Sequence, residues 1–325
     1  EGSSNAGNTQ GMESILGNLG GGSISSGWDN GNNTGTLDTS VAKGARAKYT
    51  ELIGNGKDEV TLMVYLCGTD LESRSQMATS DLQEMLHADI SENVNLIIYS
   101  GGCKKWQNTV VSSQTNQIWQ IKNGKMVCLE ENLGSKSMTN PNTLTSFIRW
   151  CAEKYPANRN ALIFWDHGGG SVSGFGYDEK FASSGSMSLA EIDDALRAGG
   201  VKFDFVGFDA CLMATTENAL MLTKYADYMI ASEETEPGIG WYYTDWLTQV
   251  SKNTSMSTPE IGKIIIDDFG KTLFATFDAA DIKVTSKFVG DFFVGNGEVV
   301  LFGELEGVGV FLGFGEGVSL VFGAK

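Results

Sequence analysis

One imidazole and one thiol in this chain stand where a reaction could be built. His167 leaves the apolar run Ala161–Trp165 in Asp166-His167-Gly168-Gly169-Gly170, and Cys211 leaves the run Phe203–Phe208 in Asp209-Ala210-Cys211-Leu212-Met213. If each run is a strand, both residues sit at strand carboxyl ends, where open α/β sheets bind ligands. Consecutive parallel strands usually lie side by side, which would set the two residues facing one another. A thiol beside an imidazole can give up its proton and attack a carbonyl carbon, the opening step of acyl transfer. Cys211 is also expected at the start of a helix, where unsatisfied amides favour the thiolate. Glycine amides beside the pair could hold a developing oxyanion.

Taken one at a time, these residues have plainer uses. A lone cysteine is most often a small buried hydrophobe, and that reading is kept for Cys67, Cys128 and Cys151. Cys103 follows a Gly-Gly turn and reads as an exposed residue, and His87 ends an amphipathic helix. Asp209 could simply cap a helix starting near Cys211. Gly168–Gly170 lacks the lysine of a phosphate cradle. Asp166 and His167 are two adjacent ligands, too few for a metal site. It is the joint occurrence of Cys, His and glycine amides at neighbouring strand ends that favours a thiol hydrolase.

The elements that must position this pair follow from hydrophobic patterning between residues 60 and 269. Near-continuous apolar runs at Val60–Leu66, Val94–Ser100, Ala161–Trp165, Phe203–Phe208 and Asp227–Ser232 predict strands buried on both faces. Helices are predicted between them. Residues 70–87 carry Ala78, Leu82, Met85 and Leu86 on one face; another helix runs from Pro141 to about Lys154. Ser188 with Glu191 forms a capping box, and Thr258-Pro259 opens a helix over 259–269. Asn123-Gly124 between two short apolar runs predicts a type I′ hairpin. The pattern is that of a three-layer α/β domain with a mostly parallel central sheet.

Composition narrows the class. The chain has 325 residues with 23 basic and 40 acidic side chains, a formal charge of −17, which disfavours nucleic-acid and polybasic membrane binding and favours cationic partners. Two histidines exclude histidine-rich metal sites, and five cysteines without a CxxC pair exclude a zinc finger or disulfide scaffold. No apolar run is long enough for a transmembrane segment. Residues 1–40, rich in Gly, Ser, Asn and Thr, read as a flexible leader, and 41–59 as a basic linker or propeptide region with Lys43, Arg46 and Lys48. The domain spans 60–270. Residues 271–325, dominated by Gly, Val and Phe towards their end, are set apart as a C-terminal segment on which no functional reading rests.

Three motifs taken together resemble the clostripain family of cysteine peptidases, in the caspase-like clan. They are Asp166–Gly170, Asp209–Met213 and Ala231-Ser232-Glu233-Glu234-Thr235-Glu236-Pro237-Gly238. The front of the domain, Tyr65-Leu66-Cys67-Gly68-Thr69-Asp70-Leu71-Glu72, is similar to that family's first strand and turn, and the resemblance covers about residues 44–270. It implies a caspase-like (caspase-hemoglobinase) sandwich, with Cys211 as nucleophile, His167 as general acid/base, and the amides of Gly168 and Cys211 as oxyanion hole. Clan members use a dyad, so no third orienting carboxylate is required. Asp209 matches the S1 residue that selects Arg, then Lys, at P1, and Ser232 and Glu233 match the segment lining S1.

Further expectations follow from the same resemblance. Substrates would be peptides or proteins with Arg or Lys at P1. The protein would be bacterial, secreted or at the cell surface, an expectation also fed by the polar leader and the absence of an initial Met. Calcium is possible by resemblance, although no EF-hand-like loop occurs and the residues themselves require no cofactor. Lys180, in the polar stretch Tyr177–Ser186, marks a self-processing site between the His and Cys segments that would convert a zymogen into two chains. A catalytically inactive, caspase-like surface binding module is the alternative.

Overall fold

The apolar runs become the centre of one sheet. In the computed structural model the described residues are 46–278 and the segments 291–295, 298–302 and 310–313. Strands β1 (Val60–Cys67), β2 (Val94–Gly101), β5 (Arg159–Trp165), β6 (Phe203–Asp209) and β7 (Ala226–Ala231) pair in parallel in the order β2-β1-β5-β6-β7. Nearly every residue of these strands is buried, as expected for strands covered on both faces. The hairpin β3 (Gln117–Lys122) and β4 (Lys125–Glu130) continues the sheet antiparallel beyond β2. Its turn residues Asn123 and Gly124 have φ of 53° and 65°, the left-handed values of a type I′ turn. Beyond β7 the order is β10 (Val310–Gly313), β8 (Asp291–Gly295) and β9 (Glu298–Phe302), with β10 antiparallel to β7.

Helices cover the sheet. Residues 70–87 form two helices, α1 (Thr69–Ser75) and α2 (Met77–His87), broken where Gln76 takes φ 62° and returns its N–H to Glu72. The buried Glu72 carboxylate then accepts the Thr79 N–H at 2.8 Å and hydroxyl at 2.6 Å, fixing the first turn of α2. Helix α3 (Pro141–Lys154) begins at its proline with Asn140 as cap. After the four-residue α4 (Gly170–Ser173), α5 (Leu189–Gly199) opens with the predicted Ser188/Glu191 capping box. Three more follow: α6 (Thr216–Leu222), α7 (Tyr243–Lys252) and α8 (Thr258–Asp278). Helix α8 runs past residue 270, so the boundary drawn there falls inside a helix. The leader 1–40 lies outside the described residues, as does Lys43.

Strand alternation sorts side chains between the two helical layers. Tyr65, Phe164 and Phe208 occupy matched positions on β1, β5 and β6 and point to one face, where Phe164 stacks on Phe208 at 4.8 Å and Tyr65 meets Phe147 of α3. Trp165 and Asp209, one residue on, point to the other, reaching Asp81 of α2 and Tyr243 of α7. Gly207 belongs to this second face, and a Cβ there would fall 2.8 Å from the Trp241 ring. The residues expected to link leader and domain are tied down instead: Arg46 pairs with buried Asp227 at 2.7 Å, and the Tyr49 and Thr50 N–H groups also donate to Asp227.

Candidate active site

β5 and β6 end in register. Trp165 pairs with Asp209, and the Asp166 N–H reaches the Asp209 carbonyl at 3.4 Å. Just beyond, the two loops touch: a Cβ at Gly168 would lie 2.0 Å from the carbonyl oxygen of Cys211, so only glycine fits. The strand ends thus bring the His167 loop beside the Cys211 turn, as the sequence predicts. Among the described residues no acceptor takes the N–H of Gly168 or of Cys211, leaving two backbone donors unspent where the loops meet.

Cys211 does not stand at a helix start. Leu212 has φ 63°, the residues after Cys211 turn, and α6 begins only at Thr216, whose capping Thr215 accepts the Asn218 N–H. The reason lies in the long segment after β7. Leu212 N–H donates to Glu234 O at 2.9 Å and Ala214 N–H to Ser232 O at 2.8 Å, holding residues 212–214 out of a helix. The dipole of α6 therefore does not reach the thiol, and Asp209 is the last residue of β6 rather than a helix cap. The half-buried Cys211 sulfur accepts the Glu236 N–H at 3.2 Å, and its thiol lies 3.7 Å from Glu236 O.

His167 is exposed at the site's surface, and its Nε2 lies 2.8 Å from Asp70 Oδ1. The hydrogen bond with His167, ahead of the other influences, holds the Asp70 carboxyl below the usual range. Sequence reasoning passed over Asp70, although Thr69-Asp70 directly follows β1, a third strand end beside the other two. Asp166 serves the loop rather than a ligand. Its buried oxygens accept the His167 N–H and the Tyr177 N–H, both at 2.6 Å, and burial pushes its carboxyl well up.

Beneath the Cys211 turn lies an acidic floor. Asp209 is buried, accepts the Tyr243 hydroxyl at 2.8 Å and the Trp241 N–H, and is pushed up to about 6, chiefly by burial. Asp81, buried beside it and bonded to the Trp165 indole at 2.6 Å, is also pushed up by burial and by the charge of Asp209. Burial, with the nearby charge of Asp209, pushes Glu236 well up too, and burial takes Glu84 to about 7. None of these four carboxyls has a cationic partner within ion-pair distance among the described residues. No group of three or more His, Cys, Asp and Glu among the described residues is arranged to hold a metal ion.

The remaining expected residues sit as follows. Ser232 is buried, with its hydroxyl bonded to the Glu234 N–H and carbonyl, so it shapes the turn, while Glu233 is exposed and its carboxyl is raised by partial burial and by Glu234. Lys180 is not on a free loop tip. It lies in the 3₁₀ turn Glu179–Ser184, capped by Asp178, with Nζ bonded to Ser113 O at 3.2 Å. The Glu179 carboxylate accepts the Ser73 hydroxyl and the Lys104 N–H, docking this turn on α1.

The sequence model of the clostripain family matches residues 64–284. Clostripain from Hathewaya histolytica is 28% identical in an alignment covering 58% of this chain and 41% of that protein. A secreted C11 cysteine protease from Bacteroides thetaiotaomicron, solved with an irreversible peptide inhibitor, superposes with a TM-score of 0.53 at 22% identity. An inactive zymogen C11 protease from Parabacteroides distasonis gives 0.52 at 23% identity. Each structural match covers 67% of this chain and 59% of the other, so the chain spans less than two thirds of the length of these relatives. The structural likenesses show a shared fold, the mostly parallel sheet between helical layers.

Proposed function

The chain belongs to the clostripain family, and from that premise we propose that it is a cysteine endopeptidase in which His167 and Cys211 form the dyad. The observation that carries this reading is the contact of Gly168 with the Cys211 carbonyl, which sets the two loops together with two unspent amides. In this mechanism the imidazole takes the thiol proton and the sulfur attacks the scissile carbonyl. The oxyanion accepts from the Gly168 and Cys211 N–H groups, and the ring returns the proton to the leaving amine. Water then repeats the sequence on the thioester. No step is routed through a metal.

Specificity for Arg, then Lys, at P1 is supported by the acidic floor, where a guanidinium would meet Asp209 bidentately in a desolvated pocket. Ser232 and Glu233 belong to the S1 wall in this reading. The test is hydrolysis of matched P1-Arg, P1-Lys, P1-Asp and P1-Ala peptides by wild type and Cys211→Ala. Cys211→Ala should abolish turnover of all four. Retention within about tenfold, only ~1.4 kcal/mol of barrier, would end the assignment.

The engagement of the sulfur by the Glu236 backbone supports a latent chain activated by a cut after Lys180. Proteases bind extended peptides, so the capped turn around Lys180 must open before its bond can be cut. On denaturing gels wild type should yield a fragment beginning at Phe181, and Cys211→Ala should stay whole. A fully active, uncut wild type would refute latency while leaving the peptidase reading intact. Secretion from a bacterial cell fits the description of the Bacteroides neighbour, and no helix among the described residues is long and apolar enough to cross a membrane.

A further inference from the structure

The dyad reading leaves one contact unexplained: the imidazole's Nε2 is already engaged by a carboxylate. Building on that reading, we infer that Asp70 is a positioning residue, which accepts Nε2–H of His167 and so leaves Nδ1 as the atom that exchanges a proton with Cys211 and the leaving amine. The distance is 2.8 Å from Nε2 to Oδ1. Since a carboxylate only accepts, this bond places the hydrogen of the neutral ring on Nε2 and the lone pair on Nδ1.

The carboxylate is itself held in place. Thr69 Oγ1 donates to the same Oδ1 at 2.8 Å, and Arg74 approaches Oδ2 at 3.5 Å from one turn along α1. Thr69 is wholly buried, yet its φ is 42°, a left-handed value that is uncommon for any residue with a side chain and costly for a β-branched one. Such strain persists only where the surroundings impose it, and it clusters at functional sites. Here it makes the tight bend from β1 into α1 that lays Asp70 beside His167. Both partners are partly exposed, with side chains 45% and 32% accessible, so the pair contributes little to stability as a surface ion pair. Its use is to orient the ring and fix its tautomer, and to balance the charge the ring carries after taking the thiol proton, as an orienting carboxylate does in serine-protease triads.

Two histidines in the whole chain make the test direct. Ring ¹⁵N spectra of the histidine-labelled 325-residue chain separate the two rings, with His167→Gln assigning the signal. His167 in the neutral form should report Nε2–H. Asp70→Ala should turn that signal into a tautomer mixture and lower kcat for a P1-Arg peptide roughly 10- to 100-fold, with KM changed less than about threefold; the span sits below the ~10⁴-fold loss of a buried orienting Asp. Asp70→Asn keeps the accepting oxygen bonded to Thr69 but loses the charge and the oxygen facing Arg74, so it should hold the tautomer and lose less activity than Asp70→Ala. An unchanged His167 spectrum together with unchanged kcat in Asp70→Ala would overturn the inference. Cys211→Ala, run alongside, distinguishes this from failure of the dyad reading, since only the latter leaves that variant active. The ring spectrum is read equally well in an uncut, latent chain.

Discussion

The two ends of the sheet bury carboxylates in opposite ways. At the amino end of the strands each acid is met by a partner in place. Asp204 takes Arg159 at 2.7 Å and the Thr258 hydroxyl at 2.6 Å, and Arg159 also donates to the Thr254 and Met256 carbonyls. Asp227 takes Arg46 and two backbone amides. Asp58 gathers the Ile53 and Gly54 N–H groups, Asn158 and Ser255, bonds that outweigh its burial and hold it below the usual range. At the carboxyl end, Asp81, Glu84, Asp209 and Glu236 crowd together with no cation among the described residues within ion-pair distance, all pushed up by burial. Asp166, on the same side of the fold, is met by the His167 and Tyr177 amides and the Cys67 thiol. One end is a finished structural network. The other is incomplete in a specific sense, since a bound cation would lower the cost of every charge there.

The largest effect should come from damaging the finished end. Arg159→Met leaves Asp204 buried and unpaired and should cost about 3–5 kcal/mol of unfolding free energy. Urea denaturation measures it, and a loss below about 1 kcal/mol would mean that this network is not a load on the fold. The next effect belongs to the other end. Asp209→Asn removes the charge proposed to meet a P1 guanidinium and should lower kcat/KM for P1-Arg peptides roughly 10- to 150-fold, the ~1.5–3 kcal/mol of a charged hydrogen bond. Iodoacetamide should alkylate Cys211 at an unchanged rate. Equal turnover of P1-Asp and P1-Arg peptides by wild type would sink the assignment of Asp209.

The same Asp209→Asn substitution should behave oppositely in stability, which sharpens the contrast. The folded carboxyl titrates near 6, above the ordinary value near 4, so the folded state holds the proton more tightly. Its favourable contribution is full below about pH 4 and is lost as pH rises through about 6. Asp209→Asn, which cannot ionise, should therefore be more stable than wild type at pH 8, by about 2–3 kcal/mol, with most of the gain gone by pH 4. Thermal melts across that range check the sign. Glu84, half-buried and raised to about 7, should give the smallest effect. Glu84→Gln should flatten the fall in melting temperature between pH 5 and 7 without changing P1 preference.

What could be read without the fold was whatever local chemistry dictates. Continuous apolar runs specified doubly covered strands, Asn123-Gly124 its turn, Pro141 and Ser188/Glu191 their helix starts, because each rests on sterics or hydrogen bonds within a few residues. The placement of His167 and Cys211 at strand ends followed from the same runs, and the order of adjacent parallel strands did the rest. The α6 start was misplaced by five residues because the competitor for the backbone after Cys211 is residues 232–234, some twenty positions away and invisible to periodicity. Lys180 looked like a loop tip because its small polar neighbours are loop-like, whereas its docking on Ser113 and α1 is tertiary. The Asp70–His167 contact spans 97 positions, and only the sheet order β1-β5-β6 makes Thr69-Asp70 a neighbour of the other two strand ends. So too with the acidic floor: residue types showed an excess of acid, but burial decides which carboxyls are pushed up, and burial is set by how α2 and α7 close over one face of the sheet.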